Sequence, residues 1–262
     1  MSVYESLEAR ALGEEKARLD AQATVGWALE REVLGRRLLT RPSGVLLDVG
    51  CGTGTIARAV AAHWPGWSVL GVDTDPRMGA RDEPPRLHFR HVEPGAPLPV
   101  ADASVDAVYG RFLMQHVGDP APLLAEIRRV LRPGGRVLLA DVDDRGVVFH
   151  PELPALRVFY DRAGPAQIRV GGDRHVGAKL PALLAQAGLA HVEYEVLPIT
   201  GGVFGVRPLL EVALGLKRAL LDEGDDVIAS IAAEAEATPG FVALIPVFFA
   251  GATRPHLPGA SR

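Results

Sequence analysis

The feature that most constrains the fold is a glycine-rich turn between an apolar run and a helical pattern, at residues 46–60 (LLDVGCGTGTIARAV). The run GVLLDV is short and almost continuously apolar, which is typical of a strand buried on both faces of a parallel sheet. A helix is predicted to follow, from about Thr55 to His63. A strand that turns directly into a helix predicts a βαβ unit, and open α/β folds bind their ligands at such turns.

The same alternation continues to about residue 142. Further strands are predicted at WSVLGVD, RLHFRHV, SVDAVYG and RVLLADV, and an amphipathic helix that Pro133 is expected to stop precedes the last of these. Alternation of this kind predicts a parallel α/β sheet with right-handed crossovers. Farther along, GAKLPALLAQAG has a helical pattern, and LAHVEYEVL and FVALIPVFF read as strands.

Three mostly helical segments accompany this predicted sheet. We predict an N-terminal helical cap at 1–43 and one α/β domain at 44–262. Two inserts in the domain, at about 144–175 and 199–238, are too long for plain loops. Long inserts beside an α/β sheet usually belong to a site, so we expect these segments to form a lid over the ligand.

Composition argues against several classes of partner. The formal net charge is −4 and the arginines are scattered, so nucleic acid is not an expected partner. Cys51 is the single cysteine, which excludes a disulfide or a cysteine zinc cluster within the chain, and no spacing of His, Asp and Glu indicates a metal site. The N-terminus lacks an apolar signal core, and Pro246 breaks the longest apolar run. We therefore expect a soluble cytoplasmic protein with neither a membrane partner nor a metal.

The residues around the glycine turn indicate its ligand. Gly50 and Gly52 carry no side chain, so a ligand can approach the backbone and the start of the helix. The spacing G-C-G-T-G differs from the dinucleotide fingerprint G-x-G-x-x-G, because Thr55 occupies its last position. Asp48 supplies a carboxylate for a cationic group, and Asp73, which ends the second strand, is placed for ribose hydroxyls. This combination describes a nucleoside that carries an amino acid, and S-adenosylmethionine fits that description.

Four segments of the chain resemble the successive motifs of class I S-adenosylmethionine-dependent methyltransferases: VLLDVGCGTG, VLGVDTDPRM, PLPVADASVDAVYGRFLMQHVGDP and LRPGGRVLLADV. The nearest resemblance is to the small-molecule type similar to the ubiquinone/menaquinone C-methyltransferases, and it is continuous from about 44 to 142. It implies a Rossmann-like, seven-stranded, mostly parallel sheet whose last strand is antiparallel, with helices on both faces. It also implies an enzyme that methylates oxygen, nitrogen or carbon of a small organic molecule, as in secondary metabolism.

The resemblance further implies which residues bind the cofactor. They are Asp48, Gly50, Cys51, Gly52 and Gly54 for the methionine part, Asp73 for the ribose, Thr74 and Met78 near the adenine, and Arg111 with Phe112 beside the sulfonium and substrate. The family commonly has Gly-Asp before an LPF-like segment, and that acid contacts the adenine amino group. Here the stretch reads RHVEPGAPLPV, so Glu93 is the nearest acid, offset by about one residue. The backbone of Val92 is the alternative contact for the adenine.

The catalytic candidates each have two interpretations. His116 precedes a predicted helix near the expected substrate mouth, and it is either a general base or a packed histidine that bonds the backbone. Asp141 and Asp143 end the fifth strand, and one of them is expected to contact substrate; Asp141 is the candidate we name for catalysis. Cys51 is expected to be a small packed residue rather than a nucleophile, because no base neighbours it in the sequence.

The expected reaction is in-line transfer of a methyl group from the sulfonium, for which positioning alone can lower the barrier by roughly 7–11 kcal/mol. Two other functions are compatible with the sequence: an enzyme of the same fold that uses the cofactor for a non-methylating reaction, and a non-catalytic binding partner. The intact acids and glycines argue against the second of these. The lid segments carry Trp27, Phe149, Tyr160 and Phe204, which favours an apolar or aromatic small-molecule substrate. A homodimer is compatible with the sequence.

Overall fold

The computed structural model describes residues 9–78, 82–83, 85–221 and 225–256. The strands are β1 (Gly44–Val49), β2 (Trp67–Asp73), β3 (Leu87–His91), β4 (Val105–Arg111), β5 (Leu131–Val142), β6 (Val148–His150), β7 (Ala190–Thr200) and β8 (Val242–Thr253). The helices are α1 (Ala9–Val33), α2 (Thr55–His63), α3 (Ala121–Val130), α4 (Pro154–Arg169), α5 (Leu180–Gln186), α6 (Gly201–Phe204), α7 (Val206–Leu221) and α8 (Asp225–Ala237). Parts of the predicted cap and domain, at 1–8 and 257–262, lie outside the described residues.

All eight strands belong to one sheet. The order is β3-β2-β1-β4-β5-β8, with β7 on the far side of β8 and the short β6 also paired to β8. Strands β1 to β5 run parallel, and β8 runs antiparallel to β5. The structure thus confirms the mostly parallel sheet with an antiparallel last strand. Within the described residues it has one strand more than the seven expected, because residues 148–150 of the first insert pair with residues 242–244.

Core packing covers both faces of this sheet. Leu46 and Leu47 are adjacent in β1 and both fully buried, yet they belong to different hydrophobic clusters, since successive strand residues point to opposite faces. The first cluster includes Ile56 of α2, and the second includes Ile127 of α3. Layers of helices therefore cover the sheet on each side, as the resemblance implied.

The end of α3 differs from the sequence expectation. The helix begins at Ala121, whose N–H donates to Asp119 Oδ1 at 3.0 Å. It ends at Val130, ahead of Pro133, because Leu131 already pairs with Val105 of β4. Pairing with the neighbouring strand, rather than the proline, therefore stops the helix.

The lid segments have a hydrophobic core of their own. Helices α4, α7 and α8 pack around buried side chains that include Leu156, Leu210 and Ile231. Helix α1 packs against α2 and α7, and so bridges the sheet layer and the inserts. Among the helices at 9–78, 85–221 and 225–256, none has the length and apolar character needed to cross a membrane.

Candidate active site

A cavity of about 540 Å³ lies at the carboxyl edge of the sheet. Residues at or just beyond the ends of all five parallel strands line it, namely Val49, Asp73, Val92, Arg111 and Val142. Its volume is within the range of roughly 300–1,000 Å³ that is typical of small-molecule sites. Open α/β folds bind their ligands at this same carboxyl edge of the sheet.

The glycine turn forms part of the cavity wall. Gly50, Gly52 and Gly54 have φ of +72°, +53° and +80°, which is the left-handed region that favours glycine. A Cβ added at Gly52 would meet nothing nearer than Leu19 Cδ1 at 3.9 Å, so the space beside this residue is open. Gly50 and Gly52 line the cavity, whereas Gly54 is the N-cap of α2 and does not.

Asp73 is held in a fixed orientation at the end of β2. Its Oδ2 accepts the N–H of Gly52 at 2.8 Å, and its Oδ1 accepts the N–H of Asp75 at 2.9 Å. Each oxygen has a second lone pair, and the residue lines the cavity. Burial raises the pKa of this carboxyl, although the backbone hydrogen bonds oppose that shift. The arrangement can accept hydrogen bonds from two adjacent hydroxyl groups.

Asp48 is a buried acid with an unsatisfied oxygen. The residue is 3% exposed and lines the cavity, and its Oδ2 has no hydrogen-bond partner within the part of the chain that the structure describes. Burial, reinforced by the nearby charge of Asp73, raises the pKa of its carboxyl to about 7. A buried acceptor of this kind suits a cationic donor, because the donor would supply both the missing hydrogen bond and the compensating charge.

Arg111, at the end of β4, is tied to the N-terminal helix. Its Nε donates to Glu30 Oε1 at 2.7 Å and its Nη2 donates to the carbonyl of Gln22 at 3.2 Å, while the hydroxyl of Tyr109 donates to Glu30 Oε2 at 3.2 Å. The guanidinium carbon lies 4.3 Å from the ring centroid of Phe112, whose φ of +50° is unusual for a bulky residue. Arg111 thus fixes both the lid helix and the Phe112 ring.

Asp20 is a second link from α1 that the sequence analysis missed. Its Oδ1 accepts hydrogen bonds from the hydroxyls of Thr53, at 2.5 Å, and of Thr55. Through Asp20 the helix holds the glycine turn, and its neighbours Leu19 and Ala23 line the cavity. The helix periodicity of α1 could indicate which face is buried, but not that this acid caps the turn.

The remaining predicted cofactor residues also lie at the cavity. Cys51, Thr74, Met78 and Glu93 all line it. Burial raises the pKa of the Cys51 thiol far above its usual value, which fits the packed role expected for it. The Glu93 side chain is 79% exposed, and the Val92 backbone lies beside the cavity as well.

Hydrogen bonding fixes the tautomer of His116. Gln167 Nε2 donates to the carbonyl of Gln115 at 3.1 Å, which orients the amide, and the same nitrogen lies 3.3 Å from His116 Nδ1. Nδ1 therefore accepts, and this network assigns the ring proton to Nε2. Burial and the charges of Arg174 and Arg18 lower the pKa of His116 to about 3. The imidazole lines the cavity as a neutral hydrogen-bond donor, which argues against the general-base interpretation.

Asp141 and Asp143 are not at the cavity wall. Asp141 is fully buried, and its carboxylate accepts the N–H groups of Gln115 at 3.0 Å and Val142 at 2.9 Å. Asp143 pairs with the guanidinium of Arg145 through two hydrogen bonds. Neither acid lines the cavity. The geometry gives Asp141 a positioning role, because it holds the loop that carries His116.

The aromatic residues Trp27, Phe149 and Tyr160, which were expected to wall the substrate site, do not line this cavity, although Tyr160 lines a smaller cavity next to it. Trp27 packs edge-on against Trp64, with the ring centroids 6.1 Å apart, and Phe149 packs against Tyr160 at 5.1 Å. Their large apolar surfaces are used in helix packing. The lid contributes instead a mixed wall: Arg18, Leu19, Gln22 and Ala23 from α1, Gln167, Val170, Gly172 and Arg174 from the first insert, and Val212 and Ala213 from α7.

Fold and site together define a nucleoside-binding protein of the Rossmann-like α/β class. The methyltransferase-domain family model matches residues 47–139. Trans-aconitate 2-methyltransferase of Azoarcus sp. is 33% identical over 215 residues, which cover 73% of this chain and 81% of that protein. An uncharacterized 37.1 kDa protein in transposon TN4556 of Streptomyces fradiae is 36% identical over 226 residues, which cover 82% of this chain and 62% of that protein.

A solved structure shows the same fold. Phosphoethanolamine N-methyltransferase 2 of Haemonchus contortus, in complex with phosphomonomethylethanolamine and S-adenosylhomocysteine, matches with a TM-score of 0.59 at 19% identity, covering 90% of this chain and 56% of that one. The chain belongs to the class I S-adenosylmethionine-dependent methyltransferases. Its cofactor is S-adenosylmethionine, and the free acceptor atom of Asp48, the open space at Gly52 and the oriented Asp73 carboxylate fit that molecule.

We expect Gly52→Val to weaken the binding of S-adenosylhomocysteine by about 10- to 100-fold, since overpacking costs roughly 1–3 kcal/mol. The branched side chain would fill the open space at the turn. Gly240→Val is the matched control, because Gly240 has a similar φ of +72° and open space around it but lies outside the cavity lining. Calorimetry that finds undiminished binding in Gly52→Val, or an equal loss in both variants, would show that the turn is only structural.

We expect His116→Asn to lower kcat without removing a limb of the pH profile between about pH 5 and 9, because a neutral donor does not titrate there. The loss should be on the order of tenfold, the value of one hydrogen bond. Steady-state rates across this range would check it. If the pH profile of the native enzyme has a limb near the ordinary histidine pKa, and that limb disappears in His116→Asn, the general-base interpretation would be restored.

Proposed function

We propose that this protein transfers the methyl group of S-adenosylmethionine to an oxygen, nitrogen or carbon atom of a small organic acceptor. The observation that carries the proposal is the continuity of the cavity. Its lining includes Asp48, Gly52 and Asp73 of the cofactor motifs, and also His116 and Gln167, which those motifs do not use for the cofactor. Cofactor and acceptor can therefore share one enclosed space.

In this proposal each cofactor motif holds a different part of the molecule. Asp73 accepts hydrogen bonds from the ribose hydroxyls, and Asp48 accepts one from the ammonium group. Thr74 and Met78 border the adenine, with the backbone of Val92 rather than the exposed Glu93 carboxylate as its polar partner. Gly50, Cys51 and Gly52 leave room for the methionine part, while Gly54 acts indirectly by starting α2.

Bound S-adenosylmethionine supplies an electrophilic methyl group on its sulfonium. The protein contributes position and water exclusion: Phe112, which Arg111 fixes, and the α1 residues Leu19 and Ala23 close the cavity around the reacting atoms. His116 lines the same cavity and borders the space open to the acceptor. Gln167 is fully buried and supports the His116 ring, with its Nε2 3.3 Å from His116 Nδ1.

The N-terminal cap at 1–43 is a functional part of the site in this proposal. Helix α1 holds the glycine turn through Asp20 and the end of β4 through Glu30, so it closes over the cofactor rather than forming a separate domain. The name of the Azoarcus relative, which refers to trans-aconitate, supports a small-molecule acceptor.

Methyl transfer can be tested directly with cofactor that carries a deuterated methyl group and a panel of small acceptors. We expect a product that gains the labelled methyl group, together with an equal amount of S-adenosylhomocysteine, and much less product from Gly52→Val at a cofactor concentration below saturation. The fold alone does not fix the reaction. A product formed without label or without S-adenosylhomocysteine would favour the non-methylating enzyme, whereas cofactor binding without any turnover would favour the binding partner.

A further inference from the structure

We propose that a second, smaller cavity beside Phe112 binds a carboxylate of the acceptor, so that the acceptor is an organic acid. This inference rests on the proposed function. The second cavity, which we call the annex, has a volume of about 50 Å³. It adjoins the main cavity, with which it shares Gln22, Phe112, Val142, Val212 and Ala213.

The annex contains a buried lysine that the cofactor motifs do not use. Lys217, in α7, has a side chain that is 3% exposed. Its Nζ donates to the carbonyl of Ala213 at 3.1 Å and to the hydroxyl of Tyr160 at 3.4 Å, and it lies 4.4 Å from the Tyr160 ring centroid. Lysine is almost never fully buried without a charge partner, so this side chain needs an explanation.

The nearest acid is already committed to another cation. Arg174 donates to both oxygens of Asp144, at 2.9 and 2.7 Å, whereas Lys217 Nζ is 3.7 Å from Asp144 Oδ1, beyond hydrogen-bond distance. Two buried cations thus face one carboxylate. The other charged groups are held by partners of their own: the Asp141 carboxylate accepts the N–H groups of Gln115 and Val142, and Arg18 pairs with Glu15 of its own helix.

The annex has the size and surface for one carboxylate. A volume of about 50 Å³ can hold a few waters or a small functional group, but not a whole acceptor. Its other walls are apolar side chains, which include Ile199, Leu209, Ile245 and Val247. An anion there would receive hydrogen bonds from the Lys217 ammonium and the Tyr160 hydroxyl and would balance the excess positive charge. The rest of the acceptor then extends past Phe112 into the main cavity.

The protonation of Lys217 should depend on whether the annex holds an anion. Burial, together with the charge of Arg174, lowers the pKa of Lys217 to about 7. A bound carboxylate favours the charged ammonium, so the folded protein takes up a proton when the annex is filled at a pH above that value. A neutral ligand of the same shape produces no such uptake.

The test uses the full chain saturated with S-adenosylhomocysteine and two probe acids, acetate and benzoate, with acetamide and benzamide as neutral matches. We expect both acids to bind more tightly than their amides. Lys217→Met should lower the affinity for the acids by about 10- to 100-fold, which is the value of a charged hydrogen bond. The affinity for the amides should not change. Lys179→Met is the matched control, since Lys179 pairs with Asp173 at the surface, and it should change neither.

Two further readouts separate binding from structure. Calorimetry of benzoate at about pH 8, in buffers of different ionisation enthalpy, should show proton uptake by the native protein and none by Lys217→Met. The variant should keep or raise Tm, because it removes the desolvation cost of a buried charge while Asp144 keeps Arg174 as its partner. A structural ion pair with Asp144 predicts instead a lower Tm with unchanged affinity for the acids.

Several results would overturn the proposal: no measurable binding of either acid by the native protein, amides that bind as tightly as acids, or equal affinity for the acids in native protein and Lys217→Met. A loss of S-adenosylhomocysteine affinity in Lys217→Met would also overturn it, since the lysine would then belong to the cofactor site. Failure of the native protein to bind S-adenosylhomocysteine contradicts the proposed function itself, so the two failures are distinguishable.

Discussion

Asp73→Ala is expected to weaken the binding of S-adenosylhomocysteine by about 100-fold or more while the protein remains folded. Two hydrogen bonds from the ribose hydroxyls to a carboxylate are worth roughly 1.5–3 kcal/mol each, and every 1.4 kcal/mol is about tenfold in affinity. The variant also removes the acceptor of the Gly52 N–H, which loosens the turn that carries the methionine part. Calorimetry, with circular dichroism to verify folding, measures the change.

Asp75→Ala is the control for this experiment. Asp75 is a buried acid in the same loop and accepts the N–H of Arg77 at 2.9 Å, but it does not line the cavity. Its removal should lower stability with little effect on affinity. An affinity for S-adenosylhomocysteine that is unchanged in folded Asp73→Ala, or reduced equally in both variants, would contradict the assignment of Asp73 to the ribose.

Asp48→Asn is expected to stabilise the ligand-free protein at pH 8 and yet weaken cofactor binding. The folded-state pKa of Asp48 is about 7, against an ordinary value of 3.8, so the stability that its proton contributes is complete below about pH 4 and is lost as the pH rises to 7. At pH 8 the ionised carboxylate is buried and opposes folding by on the order of 2–4 kcal/mol. Asparagine removes that charge.

Urea unfolding of the native protein and Asp48→Asn at about pH 4 and pH 8 measures this difference. The variant should gain free energy of unfolding at pH 8 and little at pH 4, where the carboxyl is protonated in the folded state and buries no charge. Asp141, whose pKa is also raised to about 7, is present in both proteins, so its contribution to the pH dependence of stability cancels in the comparison. A variant that is less stable at pH 8 and binds S-adenosylhomocysteine like the native protein would show that Asp48 is a structural acid.

Local sequence patterns could predict which residues meet at the cavity because one geometric rule applies. The carboxyl ends of parallel strands meet at one edge of the sheet, so residues that directly follow β1, β2 and β4 converge wherever the chain alternates strand and helix. Asp73 and Arg111 are 38 residues apart in number but both lie at this edge, as expected. The apolar runs located β1 to β4 to within one residue, whereas β5 begins at Leu131, five residues before the predicted run RVLLADV.

Contacts between distant elements could not be predicted in this way. Glu30 and Arg111 are separated by 81 residues, and His116 and Gln167 by 51. Helix periodicity indicates that a face is buried but not which side chain it meets. The same limit explains why aromatic residues of the inserts were expected to wall the main cavity: Phe149 and Tyr160 are partly buried and pack against each other instead.

A crystal structure of the protein with S-adenosylhomocysteine tests the central claim most directly. We predict that the ligand fills the cavity at the carboxyl ends of β1, β2 and β4, with both ribose hydroxyls in hydrogen-bond contact with the Asp73 carboxylate. The ammonium group should contact Asp48 Oδ2, and the sulfur should face Phe112. A ribose held by other residues, or a ligand bound outside this cavity, would contradict the account.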